Sequence, residues 1–135
     1  MVENEKIKGL IDILVQSIRM LKEFQSTSFE EYVTDRKIQN NVEREFERAI
    51  RCCIDIGARI IAIKNLASAS TYTGIFDRLF EEKIIEYEIS SKLKELVRFR
   101  NLLEYFRISP EKVYQNLQDN LEVFSEFIKR VEQFL

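Results

Sequence analysis

Apolar residues recur along this chain at intervals of three and four, and the strict alternation of a half-buried strand is nowhere present. Ile7, Leu10, Ile11, Leu14, Ile18 and Leu21 set the rhythm, with Lys8, Asp12, Arg19, Lys22 and Glu23 on the remaining sides. A period of 3.6 residues puts such positions on one face, so the pattern predicts an amphipathic helix over about residues 3–25. Gln25-Ser26-Thr27 ends it. Ser28-Phe29-Glu30-Glu31 is a capping-box pattern, with Ser28 at the N-cap and Glu31 three residues on, opening a short turn that carries Phe29, Tyr32 and Val33. Thr34 or Asp35 then restarts the chain as a new helix.

That next helix is the longest, over about residues 36–65. Ile38, Val42, Phe46, Ala49, Cys53, Ile56, Ile60 and Ile63 form one stripe, and Ile50, Ile54 and Ile61 widen it. A helix apolar on more than one face is either central to a bundle or shared with a second subunit. Gly57 lowers its intrinsic stability and marks close approach of another backbone. Arg44, Arg48, Arg51 and Arg59 run down one side with Glu43, Glu45, Glu47 and Asp55 interleaved. The plain reading is a solvated face with intrahelical ion pairs, and a phosphate-contacting role is the less favoured one.

A small-residue linker, Asn65 to Thr73, leads into a short helix over Gly74 to Glu82 carrying Ile75, Phe76, Leu79 and Phe80. After a connection near residues 83–86, Ile89, Leu93, Leu96 and Val97 set the stripe of a helix over about 87–104. Arg100 continues that stripe, at a position where the pattern asks for a core residue. A guanidinium cannot be neutralised and is costly to bury alone, so it needs a carboxylate, a run of carbonyls, or a phosphate arriving from outside. A structural ion pair and an external phosphate both remain open. Ser109-Pro110 is a standard helix opening, serine at N-cap and proline at N1, and Val113, Leu117, Leu121, Phe124, Ile128, Val131 and Leu135 carry an apolar stripe to the end. The fold expected is all-α, an up-and-down bundle of about five helices in one domain over residues 1–135.

Composition narrows the chemistry. With 3 Gly and 1 Pro there is little turn material for many short strands, which agrees with a few long helices. The net charge of −2 leaves no global footprint for nucleic acid or anionic membrane, so any RNA contact is local and no DNA partner is expected. No apolar run is long enough to span a bilayer, and the N-terminus is acidic, which points to the cytosol. Cys52 and Cys53 are adjacent within a helix, poor geometry for a mutual disulfide, and read as small core residues. The chain contains no histidine. That absence removes Ser-His-Asp and Cys-His catalysis, any imidazole general base and His-ligated zinc; no metal and no cofactor are expected.

Several segments together resemble the HepT-like branch of the HEPN superfamily, helical-bundle proteins paired in operons with a minimal nucleotidyltransferase, MntA. They are the Ser28-Phe29-Glu30-Glu31-Tyr32 turn followed by Asp35, Val42-Glu43-Arg44 through Asp55-Ile56-Gly57, and Tyr72 with Phe76. Val97-Arg98-Phe99-Arg100-Asn101-Leu102-Leu103 and Arg107-Ile108-Ser109-Pro110-Glu111-Lys112-Val113-Tyr114 complete the set, so the likeness covers nearly the whole chain. It implies a HEPN-like fold, a homodimer with the active site at its interface, and metal-independent cleavage of RNA. It also implies inactivation by an MntA-like antitoxin that attaches AMP to a motif tyrosine. Carried over residue by residue, Arg100 takes the phosphate role, Asn101 the neighbouring polar position, and Tyr105 the place of AMP acceptor.

The family motif runs arginine, four to six residues, histidine, one residue, tyrosine, usually as Arg-Asn-hydrophobic-hydrophobic-Val-His-Glu-Tyr. Here the stretch from Arg100 to Ile108 is two residues shorter and the histidine role falls on nothing. If Val-His is what is missing, Glu104-Tyr105 is the family's Glu-Tyr; if the gap falls later, Tyr105 sits in the histidine slot. Tyrosine is a poor base at neutral pH, and losing one acid/base partner typically removes roughly 10²–10⁴-fold in rate. The expectation is therefore a toxin fold with weak or absent ribonuclease activity. The alternatives are a non-catalytic helical dimer that binds the nucleotidyltransferase or RNA, and a plain bundle with an unrelated ligand.

Overall fold

The computed structural model describes residues 2–105 and 108–135. Its helices are α1 (Val2–Phe24), α2 (Phe29–Thr34), α3 (Arg36–Ile63), α4 (Tyr72–Glu81), α5 (Tyr87–Tyr105), α6 (Pro110–Asp119) and α7 (Glu122–Phe134), with no strand among the described residues. The starts follow cap chemistry. Glu31 N–H donates to Ser28 Oγ at 3.1 Å. Between the two candidates for opening α3, Asp35 does so, its Oδ1 accepting from Lys37 N and Ile38 N at 3.0 and 3.2 Å, while the Thr34 hydroxyl donates back to Glu30 O. Ser109 caps α6 through Lys112 N, with Pro110 in the first turn.

Two boundaries depart from the pattern. α4 begins at Tyr72 rather than Gly74, because the Thr71 hydroxyl accepts from Gly74 N at 3.0 Å and caps the helix two residues earlier. The last helix is divided. α6 ends at Asp119, the Asn120 amide donates to Asn116 Oδ1 at 2.7 Å, and α7 restarts after Leu121. Asp and Asn are weak helix formers that bond locally, and the apolar spacing carries through the break, so the stripe alone does not reveal it.

α3 lies at the centre. α1 packs along it, and α4 and α5 cover further faces. Ile50, Ile54 and Ile61, which widen its apolar stripe, are all buried within the single chain. The sequence left two explanations for that width, a central position or a shared subunit face, and the central position accounts for it. Gly57 has the same explanation: a Cβ there would meet Ile75 Cγ2 of α4 at 2.5 Å and Leu79 Cδ1 at 3.4 Å. α5 is fixed to this centre by edge-to-face contact of Phe99 with Phe46 at 5.2 Å. The buried Ser90 hydroxyl donates to Phe76 O of α4 at 3.0 Å, and Lys94 pairs with Asp77 at 2.7 Å.

A second cluster holds the N-terminal half to α6. The Tyr114 ring lies 5.4 Å from Phe29 and 5.3 Å from Tyr32, and its hydroxyl donates to Thr27 O at 2.8 Å. Gln25 Nε2 donates to Leu117 O, and Gln118 Nε2 to Gln25 O, both at 2.9 Å. Two of the short segments singled out in the sequence, Ser28–Tyr32 and Pro110–Tyr114, are thus opposite sides of one contact. No helix among the described residues is long and apolar enough to cross a membrane. Phe106 and Arg107, in the segment where the two-residue shortening falls, lie outside the described residues, as does Met1.

Replacing Gly57 with alanine gains about 1 kcal/mol of helix propensity, but forcing a methyl against the β-branched Ile75 costs about 1–3 kcal/mol. Gly57→Ala is expected to lower the midpoint of urea unfolding; a raised midpoint would mean that α4 does not seat on α3. Cys52 and Cys53 are both buried and free. Burial, with Asp55 next, pushes the Cys52 thiol up to about 11, and burial, with Cys52 next, pushes the Cys53 thiol well above its ordinary value. A thiol raised in the folded state contributes stability below its unfolded pKa, near about 8.5, which is lost as pH climbs through the folded value. Stability is therefore expected to fall between about pH 9 and 11, and neither thiol should react with a disulfide reagent at pH 8 until urea is added. Rapid native labelling of either thiol would contradict this placement.

Candidate functional site

The end of α5 carries the three residues of interest. Ile89, Leu93, Leu96 and Val97 are buried, and Arg100 follows them onto the same side, 9% exposed. The spacing argument for a core-directed arginine holds. Its Nη1 lies 3.4 Å from Glu104 Oε2, one turn further along, while its Nε is buried with no hydrogen-bond partner among the described residues. The ion-pair reading therefore finds a partner, but a loose one. Charge-assisted N–H···O bonds are typically about 2.7–2.9 Å, and a well-held guanidinium is gripped by two or more acceptors.

Asn101 is exposed and points away from Arg100 by the 100° step of the helix. Tyr105 is the last residue of α5 and is 73% exposed. The structure thus brings Arg100 together with Glu104, and it leaves Asn101 and Tyr105 on solvent-facing positions of the same two turns. Glu104 was missed as a partner in the sequence, although an Arg…Glu spacing of four on a helix was the available signal.

On another side of α5 an open groove of about 340 Å³ separates it from α6. Arg98 and Lys112 lie along it with Gln115, Asn116 and Asn120, and Glu95 supplies a carboxylate. Of its α5 residues, Arg98 and Leu102 sit roughly 200° around the helix from Arg100, so most of the groove faces away from the buried guanidinium.

The arginine row of α3 is largely occupied within the chain. Arg51 pairs with Asp55 at 3.2 Å, donates to the Tyr72 hydroxyl at 3.2 Å and lies over the Tyr72 ring at 5.6 Å. Arg48 faces Glu45 at 3.9 Å, and Arg59 reaches across to Glu3 of α1 at 3.3 Å. The solvated-face reading fits Arg48 and Arg51. It fails for Glu45, which is buried with Oε1 lacking a hydrogen-bond partner among the described residues. Position 45 sits next to Phe46 on the edge of the apolar stripe, and the tight α3 packing covers it. Glu43 is half-buried, and burial followed by Glu47 raises its carboxyl above the ordinary value. Among the described residues no group of three or more His, Cys, Asp or Glu is placed to hold a metal ion.

Comparison with known proteins gives this geometry a setting. The sequence profile of the family described as Ribonuclease HepT-like matches residues 14–131. The chain is 23% identical over 133 residues to the tRNA nuclease HepT of Aphanizomenon flos-aquae, a match spanning 96% of this chain and 89% of that protein. It is 26% identical over 125 residues to the mRNA nuclease HepT of Shewanella oneidensis, spanning 87% and 94%. Among solved structures, the tri-AMPylated HEPN toxin of Shewanella oneidensis, in complex with MNT antitoxin, aligns with a TM-score of 0.87 at 23% identity over 94% of this chain and 96% of that one. The cytosolic protein YutE of Bacillus subtilis aligns with a TM-score of 0.86 at 19% identity, over 98% and 90%. The structural likenesses establish the fold, and the profile covers all of α2 to α6 together with the C-terminal half of α1 and most of α7. This chain belongs to the ribonuclease HepT-like family.

Proposed function

We propose that this chain is the toxin half of a toxin–antitoxin pair of the HepT kind, with an MntA-like nucleotidyltransferase as antitoxin and RNA as the substrate class. The family match supports this setting, and both nuclease relatives named above act on RNA by their descriptions. The observation that carries the chemical reading is Arg100, a guanidinium directed inward at the end of α5 and held loosely by Glu104 among the described residues. In that role it stabilises charge developing on a phosphodiester. No imidazole is present to move a proton to or from the 2′-hydroxyl or leaving oxygen, so cleavage is weak or lost.

The remaining assignments follow the same reading. Asn101 supplies the polar position beside the phosphate. Tyr105, exposed at the end of α5, offers its phenolic oxygen to AMP transfer from ATP with release of pyrophosphate. The protein acts in the cytoplasm as one domain and pairs with a second copy near Arg100. The apolar width of α3 does not support that pairing, since α3 is covered within the chain. A second reading, a non-catalytic dimer that binds the nucleotidyltransferase or RNA, is favoured by one observation, the absence of histidine.

A ribonuclease assay separates the two. The chain is compared with a version carrying Val-His inserted between Leu103 and Glu104, both free of nucleotidyltransferase. Cleavage by the insertion alone, exceeding the parent by about 10²–10⁴-fold, is expected. Cleavage by both would mean that Arg100 and Tyr105 suffice, and cleavage by neither would put the binding module ahead. Stability provides a further check. Replacing a loosely paired buried charge by an apolar side chain of similar length is often neutral or stabilising. Arg100→Met is expected to leave the thermal midpoint unchanged or higher; a drop of several degrees would indicate a structural ion pair.

A further inference from the structure

We propose that Glu104 is an internal counter-ion, sitting on the anion-binding edge of Arg100 and having to swing away before a phosphodiester can occupy it. The proposal rests on the reading of Arg100 as the phosphate-binding residue and adds how access to it is controlled.

Three features point to a displaceable plug rather than a structural brace. The pair is lopsided: the Arg100 side chain is 11% exposed and that of Glu104 38%. The carboxylate can thus leave for water at little cost, while the guanidinium stays in place. The contact is long, 3.4 Å through one nitrogen, and Arg100 Nε gains nothing from it. An incoming phosphodiester, with two non-bridging oxygens and a planar fork to meet, makes the better partner.

The third feature is the helix itself. Glu104 lies in the last turn of α5, which ends at Tyr105, where the partial negative charge of the helix terminus disfavours a carboxylate. Its order is also the weaker one, since an acid is better placed N-terminal to its basic partner. Helix stability therefore gives no reason for a glutamate here, whereas neutralising Arg100 does. The register is sensitive to chain length. Two residues added between Leu103 and Glu104 would turn the carboxylate by about 200° and remove it from the guanidinium. The short spacing between Arg100 and Tyr105 thus creates the plug.

The Val-His insertion changes base and plug together, so the plug is tested by substitution alone. Binding of a fluorescein-labelled 2′-O-methyl RNA oligonucleotide, which the protein cannot cut, is followed by anisotropy at low salt. The full-length chain is compared with Glu104→Gln, Arg100→Met and the double variant. Arg100→Gln is a second uncharged background should the methionine not fold. Glu88→Gln, an exposed carboxylate in the first turn of α5, controls for net charge. Glu104→Gln should tighten binding by about threefold or more, Glu88→Gln by clearly less, and the gain should vanish once Arg100 is replaced. Equal tightening in both Arg100 backgrounds, or none in the parent, overturns the proposal. If Arg100→Met still weakens binding while Glu104→Gln changes nothing, the plug is wrong and the phosphate role survives. If Arg100→Met has no effect in either background, both fall.

Discussion

Enclosing α3 on several sides is the constraint on which the rest of the molecule depends. A helix of 28 residues with isoleucine, phenylalanine and cysteine around much of its circumference cannot lie on a surface. α1 takes one side along much of its length, and α4 and α5 take others, with the Gly57 position thinned to admit Ile75. Because interiors pack at near-crystalline density, seating α4 on Gly57 also fixes where α5 can run. Ser90 and Lys94 then bind α5 to α4, and Phe99 meets Phe46 one residue before Arg100. The guanidinium is thus positioned by hydrophobic packing that begins a whole helix away.

The contact of Tyr114 with Phe29 and Tyr32 does comparable work for the other end of the molecule. It ties α2 to α6 and hence holds the chain that follows α5 close to the helix that precedes α3. Burial pushes the Tyr32 phenol well above the ordinary tyrosine range, with Glu43 adding to it. α5 is therefore anchored along its length and its exit is constrained beyond Ser109, while its last turn is the exposed part. Asn101, Leu102, Glu104 and Tyr105 all face solvent there. A rigid scaffold carrying an exposed turn beside one buried charge suits a site that must be reached by a large polyanion and by a modifying partner.

Charge pairing decides which arginines are available. Arg48, Arg51 and Arg59 of α3 answer to Glu45, to Asp55 with Tyr72, and to Glu3 within the chain. Among the described residues Arg100 pairs with Glu104 alone, and that pairing exists because helical geometry puts positions four apart on one face. The same short stretch that lacks the histidine also supplies the carboxylate. Loss of a proton carrier and neutralisation of the phosphate contact would thus arise from one change in chain length.

Local chemistry made much of this legible in advance. Ser28, Asp35 and Ser109 bond the amides that their positions called for, because caps depend on neighbours three residues away. The inward direction of Arg100 followed from its spacing to Val97, Leu96, Leu93 and Ile89, since helical periodicity is a property of the chain itself. The break at Asn120 was hidden because the apolar stripe passes through it unaltered, and the burial of Glu45 was hidden because an acid in a charged row looks solvated until another helix covers it. What covers α3, and hence whether its wide apolar surface faces inward or toward another copy, depends on packing between residues far apart in sequence. So does the asymmetry between a buried Arg100 and an exposed Glu104: the sequence determined that the two would share a helix face, and only the tertiary structure decided which of them water can reach.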